Sequence, residues 1–327
     1  RDFQWNAQQY EQMPWLYSAI FQISTSIARL PWQITKKTRL TEAEMKDEEG
    51  DSKFKVEDIT DNTDNPLVAL LMQPNAEMTW FDFMESVCSF IELSGNAYVE
   101  LSKNAMDQIG DMYIMRPDRM KVLAGEDNKL VAGYEFKVSK ASEGTHFDAK
   151  DVMHIKTFNP TDDWYGLASV KPATLSLSLE DAARKFNTEF FLNDATPGGV
   201  LSTEAAITKE DAERIEERWR TRNAAGKRRR TVILPFGIEY KMIGTEIKDI
   251  EFEGLMKQTT QEQLAVTGVP PAKVGLLQFA KYSNYEIQNR AFYEDTIEPK
   301  IMKIQSSINL SIVSRFDDKE EGVTYHF

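Results

Sequence analysis

The chain has 327 residues, of which 41% are hydrophobic, enough for one large domain or two to three ordinary domains with a buried core. Its net charge of −13 at pH 7 argues against a protein that holds nucleic acid tightly over its whole surface, and leaves transient contact open. The single cysteine, Cys88, rules out disulfides within a subunit, disfavours zinc clusters and indicates a reducing compartment.

No apolar run approaches the length of a membrane-spanning helix, and no signal peptide is visible, so we expect no membrane partner. Because the sequence begins at Arg1 rather than methionine and stops at Phe327, we expect a fragment of a longer protein.

The N-terminal part predicts a helix followed by an acidic stretch. Apolar residues at helical spacing predict a helix over residues 9–30, ending before Pro31, and residues 32–35 predict a short strand. Residues 41–64 carry ten carboxylates without the spacing of a calcium loop. We therefore predict a solvated surface insertion there rather than an ion site.

Two further helices precede a change of period. Residues 67–72 predict a short helix, and Thr79 with Asp82 predicts the capped start of another that runs to Gly95. From residue 97 to 156 the pattern alternates between apolar and polar residues, with turn residues in between, which predicts an antiparallel sheet region. His146 and His154 lack neighbouring ligands at metal spacing, so we expect edge or core histidines.

A long helix and a small mixed module follow. Residues 167–193 place Leu175, Leu179 and Phe186 on one stripe, as in a long helix. In residues 196–245 we predict a strand at 200–202, a helix capped by Thr208 and ending near Arg222, and two strands, 231–234 and 238–242, around a turn. This module lies in sequence between two long helices.

Four consecutive cations stand inside that module. They are Lys227, Arg228, Arg229 and Arg230. Two interpretations are open: the cations meet phosphates or an acidic partner, or they are the solvated turn that commonly joins a helix to a strand.

The C-terminal part predicts a helix pair joined by an exposed loop. A helix over residues 249–267 stops because Gly268 is the residue type usually found just past a helix end and Pro270 and Pro271 lack amide hydrogens. After the loop at 272–282, Ser283 and Glu286 have capping-box spacing, which predicts a second helix from about residue 284 to 314. Pro299 should kink that helix near Thr296.

The sequence contains none of the short motifs that mark common enzymes. It lacks a phosphate loop, a paired-histidine zinc helix, a Gly-x-Ser-x-Gly elbow and a Gly-x-Gly-x-x-Gly fingerprint. Carboxylates are so numerous that no acidic pair stands out as a general acid and base. We therefore expect neither catalysis nor a cofactor or metal.

Several short motifs, in order, resemble the portal proteins of tailed bacteriophages, and most of all the compact branch of long-tailed phages. The similarity runs from about Pro14 to Ile312, and its specificity lies in the order and spacing of the motifs. The motifs are Asn65-Pro66-Leu67 with Leu70-Leu71 and Pro74-Asn75, Gly95-Asn96-Ala97-Tyr98, Tyr165-Gly166-Leu167-Ala168, Pro197-Gly198-Gly199-Val200-Leu201, Gly268-Val269-Pro270-Pro271 and Tyr282-Ser283-Asn284.

The resemblance implies an α+β portal fold that assembles as a ring. The family usually continues into a helical crown, which has no counterpart after Phe327. The implied regions are a wing at 1–166, a first stem helix at 167–195, a small α/β clip at 196–245, a second stem helix at 246–268, a tunnel loop at 269–283, and at 284–327 a long wing helix with the start of a missing or trimmed crown.

The resemblance also implies function, partners and location. Portal proteins form a ring, typically a dodecamer, at one capsid vertex of the virion, and they assemble in the cytoplasm of the host bacterium. Double-stranded DNA passes through the channel during packaging and ejection, and the terminase motor, the tail adaptor and the major capsid protein are the expected partners. Two alternatives are another ring-forming head or tail structural protein and a monomeric acidic hydrolase.

Within this resemblance, two sets of residues are candidate sites. We expect Lys281 to make weak, transient phosphate contacts, because DNA that must move cannot be held by many cations. For Leu276, Leu277, Gln278 and Phe279 two interpretations are open: they shape the constriction, or the apolar ones pack between neighbouring subunits. A clip location would place Lys227 to Arg230 near the motor or the adaptor.

Overall fold

The computed structural model of the chain describes residues 2–39, 54–125, 130–139, 143–192, 199–203, 206, 208–222, 237–242, 252–276, 282–317 and 323–327. Its α-helices are α1 (Asp2–Gln12), α2 (Pro14–Ala28), α3 (Pro66–Met72), α4 (Trp80–Ser94), α5 (Thr174–Leu192), α6 (Lys209–Arg222), α7 (Phe252–Thr267), α8 (Tyr282–Ala291) and α9 (Glu298–Ser311). Its strands are β1 (Thr35–Arg39), β2 (Phe54–Asp58), β3 (Asn96–Lys103), β4 (Ile109–Met115), β5 (Met120–Ala124), β6 (Val131–Phe136), β7 (Thr145–Asp148), β8 (Val152–Lys156), β9 (Gly199–Ser202), β10 (Glu239–Met242) and β11 (Val323–His326).

The N-terminal helix is divided in two, so the prediction of one helix over residues 9–30 is wrong. α1 ends at Gln12, Met13 adopts extended backbone angles, and α2 restarts with Pro14 in its first turn. Proline is favoured at that position because the first amide hydrogens of a helix have no acceptor. The buried side of α2 then carries the predicted apolar residues, among them Leu16, Ile20 and Ile27.

The two predicted helix starts before the sheets are confirmed. The Asn65 side chain accepts a 3.0 Å hydrogen bond from the Leu67 amide at the start of α3. At α4 the Thr79 hydroxyl accepts from the Asp82 amide at 3.3 Å, and the Asp82 carboxylate accepts from the Thr79 amide at 3.2 Å. This reciprocal pair is the capping box that the sequence predicted.

The predicted antiparallel region at 97–156 is confirmed and forms two three-stranded sheets. Their strand orders are β4-β3-β8 and β5-β6-β7, with antiparallel neighbours throughout. We did not predict β7, because this edge strand is mostly exposed and shows no alternation of buried and exposed residues. His146 lies exposed on it, while His154 lies on β8 inside the fold.

A third sheet joins residues from both ends of the chain. Its order is β11-β1-β2, and Thr35 pairs with His326 on one side and with Asp58 on the other. The strand predicted at 32–35 is therefore shifted toward residue 39, and β11 was not predicted at all. β2 falls within the predicted acidic insertion and is exposed, and residues 40–53 of that insertion lie outside the described residues.

One main hydrophobic core lies between the helices and the sheet β4-β3-β8. A second, smaller cluster takes side chains from both three-stranded sheets, including Tyr98 on β3, Val122 on β5 and Tyr134 on β6. The main core takes side chains from α2, α4, α9 and the sheet, including Ile23, Ile27, Val87, Cys88, Ile91, Val99, Met112, Met153, Ile304 and Ile308.

The chain divides into two compact units. The first comprises residues 1–174 and 260–327 and contains the three sheets described above, and the second comprises Leu175–Thr259. No helix in the described part of the chain is both long enough and apolar enough to cross a bilayer.

In the second unit β10 pairs with β9 in antiparallel register. The predicted strand at 238–242 thus has β9 as a partner, and the other predicted strand, 231–234, lies outside the described residues.

The Phe186 ring stacks on the Phe252 ring with 5.8 Å between centroids. The start predicted for α5 at residue 167 is wrong, because a 3₁₀ turn at Lys171–Ala173 with Pro172 in its first turn precedes the helix.

Candidate functional site

The end of α7, which precedes the predicted tunnel loop, is fixed by contacts of Gly268 and its neighbours. Gly268 has φ +72°, and a Cβ there would lie 2.6 Å from Thr296 Oγ1, so both its backbone angles and its surroundings require glycine. The Thr296 hydroxyl donates to the Gly268 carbonyl at 2.8 Å, and the Val269 amide donates to the Leu264 carbonyl at 3.1 Å. The predicted helix end at Gly268 is confirmed.

A single 3₁₀ turn, Pro271–Val274, then leads toward the loop. The chain leaves this turn through Gly275, which has φ +85°. The Leu276 amide donates to the Pro271 carbonyl at 3.0 Å, and the Leu276 side chain is half-buried against the main core of its own subunit. The segment is therefore fixed up to Leu276.

The structure describes only one of the predicted site residues, Leu276. Leu276 packs partly against the core of its own subunit, and its place at the constriction stays a prediction. Leu277, Gln278, Phe279 and Lys281 lie outside the described residues and stay predictions, as do Lys227, Arg228, Arg229 and Arg230.

α8 begins at Tyr282, two residues before the predicted start near residue 284. The side chain of Ser283 lies outside the described part of the chain, so the capping box with Glu286 stays a prediction. A π-helical turn at Phe292–Ile297 lies where the sequence predicted a kink near Thr296.

The π turn has a physical cause in the residues beside it. Pro299 cannot donate a backbone hydrogen bond, and the Glu298 amide donates to the Tyr293 carbonyl, five residues back. The long helix predicted to residue 314 ends at Ser311 and is followed by a 3₁₀ turn, Val313–Arg315.

Two cations meet the aromatic rings of the π turn. Lys273 Nζ lies 5.2 Å from the centroids of both Phe292 and Tyr293. Arg29 Cζ, just past the end of α2, lies 5.7 Å from the Tyr293 centroid. Burial, and secondarily the Arg29 charge, holds the pKa of Lys273 below its usual value. Sequence reasoning missed this cluster, because no local pattern connects residues so far apart in the chain.

A buried salt bridge ties α9 to α4. Lys300 Nζ lies 2.5 Å from Glu92 Oε1, and the Glu92 side chain is only 1% exposed. The second oxygen, Glu92 Oε2, is buried and has no hydrogen-bond partner. The helix that follows the loop is thus fixed to the core by a desolvated charge pair as well as by apolar contacts.

Two of the motifs that carry the resemblance meet in space. Gly95 ends α4 with φ +76°, and a Cβ on Gly166 would lie 2.0 Å from the Gly95 carbonyl oxygen. The Asn96 side-chain oxygen accepts from the Gly166 amide at 2.7 Å, and the Thr157 hydroxyl donates to the Leu167 carbonyl at 2.6 Å. The motifs therefore fix the segment that leads into α5.

His154 belongs to the same polar network. Its Nε2 lies 3.0 Å from Asn96 Oδ1, to which it donates, so its Nδ1 is the acceptor for the Tyr134 hydroxyl at 3.4 Å. The ring stacks on Tyr98 with 4.2 Å between centroids. Burial lowers the pKa of His154 to about 3, so it stays neutral and the prediction of a core histidine is confirmed. Within the described ranges no cluster of three potential metal ligands occurs.

Comparison with known proteins identifies the family. The model of the phage portal protein family matches residues 14–327. The chain belongs to the phage portal protein family. The family is one of structural phage proteins, which excludes the acidic hydrolase alternative.

A relative in sequence and two solved structures extend this result. The portal protein of Enterobacteria phage HK97 is 27% identical over 321 residues, which cover 95% of this chain and 70% of that protein. The structure of the neck of a native GTA particle computed with C12 symmetry matches with a TM-score of 0.66 and 24% identity, over 100% of this chain and 83% of that one.

An HK97-family phage portal protein from Corynebacterium diphtheriae matches with a TM-score of 0.64 and 13% identity, over 98% of this chain and 94% of that chain. The two structural matches establish that the fold is shared. The predicted α+β portal fold is thereby confirmed.

Proposed function

We propose that copies of this chain form a ring at one vertex of a phage capsid, and that double-stranded DNA passes through its centre during packaging and ejection. Membership of the portal family over residues 14–327 is the observation that carries the proposal. We take the ring to be a dodecamer because the similar neck structure was computed with C12 symmetry. The packaging motor, the tail adaptor and the major capsid protein are the partners that this role requires.

The proposed regions are those expected from the resemblance. The division at Leu175–Thr259 supports them, because that unit contains most of α5, the start of α7 and the small module between them. The stacking of Phe186 on Phe252 is the contact expected of paired stem helices. Residues 1–166 would then be the wing, 196–245 the clip and 269–283 the tunnel loop.

The proposed mechanism uses the loop at 277–281 as a narrow collar. Both ends of this loop are fixed, at Leu276 by the 3₁₀ turn and at Tyr282 by α8. A collar of such loops guides the duplex. Residues 277–281 of each copy contribute one lysine, Lys281, and this small number limits the affinity because each neutralised phosphate adds binding free energy through counterion release. The net charge of −13 suits a passage that must not retain DNA.

The first test is the mass of the purified chain by light scattering, with negative-stain imaging of any large species. We expect a ring of about a dozen copies with an open centre, in keeping with closed cyclic symmetry. A blocked or much wider centre would favour another ring-forming head or tail protein, and a monomer with hydrolytic activity would overturn the proposal.

The second test concerns Lys281. Rings carrying Lys281→Ala should bind DNA with a smaller salt dependence, the slope falling by about 0.9 for each lysine that had contacted a phosphate. Rings carrying Lys150→Ala, an exposed lysine beside β8, serve as the matched control. An unchanged slope in the Lys281 variant would remove this residue from the mechanism.

The third test concerns the clip cations. Reversal of the four charges at Lys227, Arg228, Arg229 and Arg230 should weaken docking of the motor or the adaptor and leave the mass of the ring unchanged. Unchanged binding of both partners would assign these residues to a solvated turn.

A further inference from the structure

Arg29 and Lys273 place two positive charges on one aromatic ring, that of Tyr293. Both lie within 6 Å of the Tyr293 centroid, Arg29 at 5.7 Å and Lys273 at 5.2 Å. In the described part of the chain neither cation has a carboxylate within 4.0 Å, although exposed lysines such as Lys185, 2.7 Å from Asp181, do find one. Two like charges that share a ring repel each other unless an anion joins them.

The surroundings of the cluster are partly desolvated. Arg29 is exposed, but Lys273 is half-buried on the 3₁₀ turn. Tyr293 belongs to the π turn, a distortion often found at functional sites.

We propose that a carboxylate of a neighbouring copy of this chain binds to Arg29 and Lys273, and that this cluster is part of the contact between adjacent subunits. The inference rests on the proposed ring. The carboxylate would form charge-assisted hydrogen bonds to both cations, and the Tyr293 ring keeps the two side chains in place.

The occupant is a carboxylate rather than a DNA phosphate for two reasons. The chain has 52 acidic and 39 basic residues, so every copy brings surplus carboxylates to its neighbour. Furthermore, a half-buried lysine fixed on two rings suits a permanent contact, whereas DNA that moves through a channel requires contacts that exchange easily.

Carbodiimide coupling within assembled rings tests this directly. The reagent joins a lysine amine to a carboxylate in salt-bridge contact, with loss of water to the reagent, and adds no spacer. Rings assembled from equal amounts of unlabelled and ¹⁵N-labelled subunits should give a peptide pair of mixed mass that contains Lys273 joined to an Asp or Glu. Lys273→Arg keeps the charge but cannot react, so its rings should form and lose that cross-link.

Charge reversal provides the second readout. The double variant Arg29→Glu with Lys273→Glu should reduce the fraction of chain in rings at least tenfold, because like charges then face each other at every interface. The exposed control Lys150→Glu should leave that fraction unchanged.

The outcomes separate this inference from the proposed function. Failure of the unmodified chain to form rings would overturn the proposed function and this inference together. Rings in which Lys273 couples only within its own subunit, or not at all, would overturn this inference alone. An intact ring with weakened DNA binding in the double charge-reversal variant would also overturn it and would identify a phosphate as the anion.

Discussion

The Thr296 hydroxyl donates a hydrogen bond to the Gly268 carbonyl, which joins the end of α7 to the π turn 28 residues later. Gly268 precedes the predicted tunnel loop in the sequence and Thr296 follows it, so the contact joins the two described segments on either side of that loop.

Gly268→Ala should destabilise the protein more than Gly275→Ala. Both glycines have positive φ, which costs alanine about 1–2 kcal/mol, but only at Gly268 would the new Cβ meet Thr296. We expect Gly268→Ala to lower the free energy of unfolding, measured in urea, by about 3 kcal/mol. In a Thr296→Ala background the cost should fall to that of Gly275→Ala, and an equal cost in both backgrounds would contradict the steric explanation.

Gly166→Ala should destabilise the protein more than Gly268→Ala, because the new Cβ would meet backbone atoms rather than a side chain. The new Cβ would lie 2.0 Å from the Gly95 carbonyl oxygen and 2.8 Å from the Thr157 amide nitrogen. We expect more than about 4 kcal/mol of destabilisation, or loss of folded protein. Gly110→Ala is the control, since its nearest atom is Asn104 Cβ at 3.4 Å and its effect should be small. Similar thermal midpoints for the two variants would refute this prediction.

Lys300→Met should destabilise the protein because it leaves the Glu92 carboxylate buried without a counter-ion. Removal of one member of a buried pair costs about 3–5 kcal/mol. The double variant Glu92→Leu with Lys300→Met should be less destabilised than Lys300→Met alone, because no charge is then left in the core. Asp181→Asn breaks the exposed Lys185–Asp181 pair and should change the free energy of unfolding by less than about 0.5 kcal/mol.

Stability should fall below about pH 6.5 because of His154. Its pKa is lowered to about 3 in the folded state from 6.5, so between these values the unfolded chain binds a proton that the folded chain excludes. The contribution is fully present above pH 6.5 and is lost as the pH falls toward 3. Between pH 7.5 and 5.5 we expect the free energy of unfolding to fall by about 1 kcal/mol.

Urea unfolding at the two pH values checks this expectation. His154→Gln should remove that part of the difference between the two pH values, whereas the exposed His146→Gln should retain it. If both variants kept the full difference, another group would be responsible.

The elements with short-range signals were predictable from the sequence. The capping box of α4, the Thr208 cap of α6 and the end of α7 at Gly268 depend on residues within a few positions of one another. The start of α2 at Pro14 could also have been predicted, since proline is favoured in the first turn of a helix. Apolar residues at helical spacing continue on both sides of Pro14, however, and they led to the prediction of one continuous helix.

The long-range features of the fold and the candidate site were not predictable in this way. The pairing of β1 with β11 and the meeting of Arg29 with Lys273 join positions hundreds of residues apart, and neither leaves a local pattern. The burial of Leu276 against its own core likewise follows from the 3₁₀ turn before it rather than from its apolar character.

The sheet β11-β1-β2 also has a consequence for biosynthesis. β1 is synthesised before its partner β11, which emerges only after residues 323–326 have been made. Until then one edge of β1 has unpaired amide and carbonyl groups. The segment that must close to pair β1 with β11 is nearly as long as the chain, and such a long-range contact slows folding. A nascent subunit therefore cannot complete this sheet early, and an incomplete chain carries an open strand edge that favours aggregation.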